Sequence, residues 1–345
     1  TVYYQYNEKF KDDPFGDEYA SWIYKIKLDD PNFTPIRLTY DDGYDSVLYK
    51  GNQNAAGNLK SADHDQSRWR AIRDAAPIPL ADGRILFASN RSALTAFHAN
   101  TDAHINGSIQ QFYVMDDHDG TAVTSELSNM HRLEAGNIHL VQHPMQLMDG
   151  RILFSTWQDA GTKYDVLNYQ YSMTSLFTMN PDGSNLKQFT EPHDHHKNLD
   201  HFISQLTNGD VVMGYYYPSF DYGYGLIMRL PLDPDPGNPM FTREPDQSPA
   251  LTYPYGSQFP ISFREFDRKG MSVLTPHTTS ADVPAPGLSG KYAMPSAAAN
   301  GGLLVAYSTG SVNFFDSACA AAGECESLKS GIYFMPNADN PVTDP

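Results

Sequence analysis

The sequence predicts an all-β protein, a β-propeller of four-stranded blades with five units visible and six or seven when complete. Three observations predict it. A phrase recurs: PIPLADGRILFASNR at 77–91 and PMQLMDGRILFSTWQD at 144–159. A second phrase follows each copy, QQFYVMDDHDG (110–120) and TSLFTMNPDGSNLKQFT (174–190). No stretch has a long helical period, while 25 Gly, 24 Pro, 22 Tyr and 18 Phe supply turns and strand residues. A repeat of this length is a supersecondary unit that buries its apolar face on its neighbours. Four-stranded units arranged radially keep their strand edges short and protected.

The elements follow in chain order. The first unit (1–69) begins mid-blade, with a strand at residues 2–6 pairing with one at 22–26. In the second (70–137), Asp82-Gly83 is a tight-turn dipeptide and Ile85, Leu86 and Phe87 the strand behind it. The third (138–197) repeats this with Asp149-Gly150 and Ile152, Leu153 and Phe154. The fourth (198–289, with an insertion) has Asn208-Gly209 before Val211, Val212 and Met213, and the fifth (290–345) has Asn300-Gly301 before Leu303, Leu304 and Val305. Pro77, Pro144, Ile203 and Pro295 each lie five residues before the turn Asp or Asn. Short apolar strands at 112–115, 176–179, 226–229 and 332–335 complete the second phrase. The expected organisation is one propeller domain over 1–345, part of a larger chain if further blades lie outside it.

The pattern P-x-x-x-x-D-G-R-I-L-F-x-S followed by L-F-x-M-N-P-D-G-S-N-L-K-Q-F-T resembles the TolB-like (PD40, WD40-like) propeller repeat. The match is closest at 144–190 and spares roughly 40–70 and 246–290. That family is usually six-bladed. The His-bearing lead-in GNIHLVQHPMQLMDGRILFSTWQD and the long insertions more narrowly resemble the propeller middle domain of hydrazine synthase alpha-subunit-type proteins. That resemblance implies a periplasmic or extracellular location and a redox or haem-linked assembly.

Lys and Arg number 24 against 41 Asp and Glu, a formal charge of −17. Such a surface repels nucleic acid and anionic lipid, and it suits cations or a basic protein partner such as a small cytochrome. Acidity also keeps a strand-rich surface soluble. No stretch has the apolar length of a membrane-spanning helix. The chain shows no leader and does not begin with Met, as expected of a mature or partial chain.

Cys319 and Cys325 close a short small-residue loop, which favours a disulfide and an oxidising compartment. Two Cys without a nearby His pair make a poor zinc site. No C-x-x-C-H occurs, so haem would come only through a partner or a segment outside this chain.

Histidines cluster before the third and fourth first strands. His139 and His143 lie in GNIHLVQHP; His193, His195, His196 and His201 lie in EPHDHHKNLDHF with Asp194 and Asp200. Imidazole with carboxylate suits a transition metal. Counting back from the turns, His201 corresponds to Gln142 and Asp200 to Asp74. His139, His201, Asp200 and His143 are the candidate metal ligands. Asp74 and Asp200 also occupy the resembled family's Asp-x-x-Pro position, whose expected role is to satisfy backbone N–H groups between blades.

Two Asp-rich stretches, 40–46 and 115–121, invite a Ca²⁺ reading, but neither has a calcium-loop spacing, and the second aligns with a hairpin turn. Tyr215, Tyr217, Phe220, Tyr222 and Tyr224 form an aromatic stretch suited to a sugar, a haem edge or a protein partner, or to packing within the sheet. Nucleophile elbow, phosphate loop and H-E-x-x-H are all absent from the sequence. The expected function is therefore an extracytoplasmic binding and scaffold propeller of a redox or haem-linked assembly. Two alternatives stay open: an enzyme with a His-based metal site at the channel mouth, and a sugar- or peptide-binding propeller.

Overall fold

The computed structural model describes residues 1–9, 19–40, 73–89, 91, 110–122, 124, 126–133, 140–158, 173–190, 199–216, 224–232, 272–275, 291–298, 301–308, 330–336 and 338. Among these, every regular element is a strand. The strands form five sheets, each ordered as the chain runs.

The first sheet holds β1 (Val2–Lys9), β2 (Tyr19–Ile26) and β3 (Ile36–Arg37); the second holds β4 (Asp74–Pro79), β5 (Arg84–Ser89), β6 (Gln111–Asp116) and β7 (His131–Arg132). The third comprises β8 (Leu140–Gln146), β9 (Ile152–Gln158), β10 (Met173–Met179) and β11 (Lys187–Gln188). The fourth comprises β12 (Leu199–Gln205), β13 (Val211–Tyr216), β14 (Leu226–Leu230) and β15 (Ser272–Val273). The last has β16 (Lys291–Ala297), β17 (Leu303–Ser308) and β18 (Ser330–Met335).

The expected strand pairs form, and Asp82-Gly83, Asp149-Gly150 and Asn208-Gly209 lie at the turns between their strands. β1 pairs antiparallel with β2, β4 with β5, β8 with β9, β12 with β13 and β16 with β17. Gly83 and Gly150 take φ of +89° and +91°, which a residue without Cβ adopts freely. The pairing corrects one alignment. Leu230 faces Val211 as Met115 faces Ile85 and Met335 faces Leu303, so the matching segment of β14 is 227–230, one residue later than 226–229.

The chain divides into two compact units. In the first (1–146, 150–172, 178–186), Ile23, Leu38, Ile85, Phe87, Tyr113 and Met115 join the first two sheets in one buried cluster. In the second (147–149, 173–177, 187–345), Val212, Ile227 and Leu274 pack against Tyr292, Leu303, Val305, Tyr307 and Met335 of the last sheet. This is the burial that a unit with one apolar face obtains only from its neighbour.

In every sheet after the first, the first strand carries the same irregularity. Register shifts fall between Ala75 and Ile78, Gln142 and Met145, His201 and Ser204, and Ala293 and Ser296. At each shift one non-glycine residue is left-handed: Ala76 (φ 49°), His143 (47°), Phe202 (55°) and Met294 (51°). Two residues therefore oppose one, which is a β-bulge. The constant spacing of Pro77, Pro144, Ile203 and Pro295 now has its cause. Each is the second residue of the bulge, where the ladder tolerates a proline without N–H.

Candidate functional site

The strongest buried polar cluster lies at the start of β4. Asp74 is fully buried and Arg91 is 1% exposed. Arg91 Nε and Nη2 donate to the two oxygens of Asp74 at 3.0 and 2.6 Å, and Ser89 Oγ donates to Oδ1 at 2.6 Å. Ser21 Oγ of β2 donates to the Asp74 carbonyl at 3.0 Å, tying the first sheet to the second. The Arg91 guanidinium also lies 5.9 Å from the Trp22 ring centre, and Arg37 lies over the same ring at 4.3 Å and over Tyr40 at 4.7 Å. The expectation for Asp74 is corrected in its partners: side-chain donors, Ser89 and Arg91, hold the carboxylate. Sequence reasoning missed Arg91, which closes the repeated phrase as the last residue of FASNR.

In the same unit, Lys25 Nζ meets Asp117 Oδ1 at 2.6 Å, and Tyr3 donates its hydroxyl proton to Oδ2 at 2.8 Å. Burial, then the bond to Asp117 and its charge, push the Tyr3 phenol up to about 12. Asp117 belongs to the Asp-rich stretch 115–121, which joins β6 to β7. His118 Nε2 sits 3.0 Å from the Leu38 carbonyl, and the Gly120 N–H donates to His118 Nδ1. In the other Asp-rich stretch, 41–46 lie outside the described residues.

The candidate metal ligands fall as follows. His143 is the left-handed residue of the β8 bulge, with Nδ1 shielded from solvent; burial lowers its pKa to about 4. Its imidazole is therefore neutral at pH 7. His201 is 3% exposed and packs edge-on to Phe202, ring centres 5.9 Å apart. Asp200 pairs with Tyr215 in the β12–β13 ladder, as Asp74 pairs with Ser89. His139, His193, His195, His196 and Asp194 lie outside the described residues. Among the described residues, no group of three or more His, Cys, Asp or Glu is arranged to hold a metal ion.

Of the aromatic stretch, Tyr215 (2% exposed) and Tyr224 (8%) are core residues, so packing rather than display is their role. Tyr224 packs with Ala293 and Ala306 of the last sheet. Tyr217, Phe220, Tyr222, Cys319 and Cys325 lie outside the described residues.

Two framework devices went unread in the sequence. Gln146 Nε2 donates to the carbonyl of its own turn, Gly150, while its Oε1 accepts the Ala81 N–H at 2.7 Å. Gln205 repeats this with Gly209 and the Met148 N–H, also at 2.7 Å. The second device is a threonine clasp. Thr39, Thr190 and Thr275 accept through Oγ1 the N–H of Ile23, Leu176 and Ile227 at 2.9, 2.8 and 3.0 Å. The recurring pairs Leu38-Thr39, Phe189-Thr190 and Leu274-Thr275 were the available signal.

In each hairpin the chain enters the first strand and leaves the second at the end away from the tight turn. In the sequence, His139, the 193–196 histidines, Tyr217, Phe220, Tyr222 and both cysteines fall between these strands.

No family model matches the sequence, and comparison with curated proteins finds no relative. Solved structures that match include hydrazine synthase from Kuenenia stuttgartiensis, 15% identical, with a TM-score of 0.47 over 99% of this chain and 45% of that one. Others are an alpha-L-arabinofuranosidase from Lactobacillus brevis (12%, TM-score 0.41, 99% and 91% covered) and the polysaccharide lyase Uly1 (11%, 0.40, 89% and 64%). The chain spans less than half the length of the hydrazine synthase chain.

Proposed function

We propose that this chain is an extracytoplasmic β-propeller that serves as a binding and scaffold domain in a redox or haem-linked assembly, and that it docks a basic protein partner. One observation carries the reading. In the sequence, His139, the 193–196 histidines, Tyr217, Phe220, Tyr222 and both cysteines fall between the strands, whereas the repeated positions are spent on turns, bulges, glutamine bridges and threonine clasps. In repeat proteins the framework supplies stability, and insertions supply recognition. The charge of −17 favours a cationic partner and speeds its approach. The likeness of GNIHLVQHPMQLMDGRILFSTWQD to the hydrazine synthase alpha type supports a haem-bearing partner.

Surface plasmon resonance with a basic c-type cytochrome as the probe tests this. Binding should weaken as salt rises, and weaken further when 217–223 is replaced by a short Gly-Ser turn in a protein that keeps its circular dichroism. Absence of binding even at low salt would overturn the reading.

A further inference from the structure

Successive residues of a strand point to opposite faces of its sheet, so the ladders assign each side chain to a face. In the second sheet Ile85, Phe87, Tyr113 and Met115 share one face and pack with Ile23 and Leu38 of the first. In the last sheet Leu303, Val305, Tyr307 and Met335 share the equivalent face and pack with Val212, Ile227 and Leu274 of the fourth.

The first sheet carries this face once more. Leu38 donates its N–H to the Ile23 carbonyl as Leu133 donates to Phe112, so Ile26 corresponds to Met115. Across the ladders Val2 then corresponds to Ile85, and Tyr4 and Tyr24 to Phe87 and Tyr113. The rings agree: Tyr4 and Tyr24 stack with centres 5.8 Å apart at 26°, Phe87 and Tyr113 with centres 6.0 Å apart at 28°. Burial does not agree. Val2 is 46% exposed where Ile85 is 0%, and Tyr6, on the face of Val2, is exposed too.

The last sheet carries the complementary face. Leu304 pairs with Phe334, and Ala306 with Ile332. By register Leu304 and Ile332 correspond to Val212 and Ile227, which the last sheet buries. Leu304, Ile332 and Phe334 are all exposed, Ile332 at 82% where Ile227 is at 0%. Phe334 is also held in place: its ring lies against Gly302, where an added Cβ would stand 2.7 Å from it. A preordered aromatic within an exposed apolar patch is what a protein interface anchors on.

We propose that the chain self-associates head to tail, the face of Val2, Tyr4 and Tyr24 in one copy seating on the face of Leu304, Ile332 and Phe334 in a second. The occupant follows from continuity. Each face has the register of one half of a contact that already joins the first sheet to the second and the fourth to the last. The contact is heterologous, so neither face meets its own kind. Each copy carries a charge of −17, which opposes approach, so salt strengthens the contact by screening it. Docking of a basic protein has the opposite salt dependence, and the two readings therefore fail separately.

Sedimentation of the full chain over a range of concentrations, at low and high salt, tests this. The wild type should associate as concentration rises, and more strongly at high salt. Val2→Lys and Ile332→Lys replace exposed side chains and should keep the fold. Each should weaken association about tenfold or more, because the contact would bury an unpaired ammonium. Mixed together, they should form a heterodimer, since each keeps the face that the other has lost. Tyr6→Lys and Leu304→Lys take their places if either loses its circular dichroism. A wild type that stays monomeric at every concentration and salt overturns the proposal. So does a mixture that stays monomeric, or a single variant that associates as the wild type does, because another surface would then be responsible.

Discussion

Arg91 grips Asp74 through two nitrogens in a site from which water is excluded, the two side chains being 1% and 0% exposed. Removing one member of such a pair leaves an uncompensated buried charge, whereas replacing both by apolar groups does not. Arg91→Met should cost about 3–5 kcal/mol, and Asp74→Leu with Arg91→Met should restore a substantial part of it. Urea unfolding checks this. Equal losses in the single and double variants would mean that the charge pairing is not what matters.

The two glutamine bridges differ in surroundings, so they should differ in strength. The bond from the Met148 N–H to Gln205 is partly buried, and that from the Ala81 N–H to Gln146 is exposed. Gln205→Ala leaves a donor that water reaches poorly and should cost about 1–3 kcal/mol. Gln146→Ala should cost less, since water replaces the lost acceptor. Paired urea titrations showing the reverse order would contradict the burial argument.

Each threonine clasp satisfies a buried N–H. Thr39→Val, Thr190→Val and Thr275→Val keep shape and remove the acceptor, so each should lose about 1–3 kcal/mol. Serine at the same positions should retain most of the stability. Thermal melts of the six variants measure the difference.

His143 titrates near 4 in the folded protein against an ordinary value of 6.5. Between those values the unfolded chain binds more protons, so stability is full above about pH 6.5 and falls as pH drops toward 4. The total approaches about 3 kcal/mol at 1.36 kcal/mol per unit. His143→Asn, which tolerates the left-handed backbone, should flatten stability between pH 7.5 and 4.5. A slope identical to that of the parent would assign the acid sensitivity elsewhere.

The hairpins were legible in the sequence because Asp-Gly and Asn-Gly are local signals, and the ladders put Ile85, Ile152, Val211 and Leu303 in one register. The bulges were not. Ala76, His143, Phe202 and Met294 share no side-chain chemistry, and their common φ comes from the sheet around them. Only the recurring proline marked the place, without saying what it did there. The Asp74 site was half legible: the aspartate showed through its spacing, but Arg91 seventeen residues on is brought back by the β4–β5 hairpin. Tyr215 and Tyr224 look like a display surface in one dimension because alternation does not say which face is covered. The neighbouring strands decide it, and they cover both.

The threonine clasp separates the length of an excursion from the shape of the sheet it interrupts. The segment before Lys187 spans 180–186, and the one before Ser272 spans 231–271, yet both strands finish with the same bond from a third-strand N–H. A two-residue strand with a hydroxyl latch gives the chain a fixed address to return to after any detour. Segments can be lengthened, shortened or exchanged ahead of that address while the register behind it is kept. The repeat can thus acquire new recognition loops without re-solving its fold.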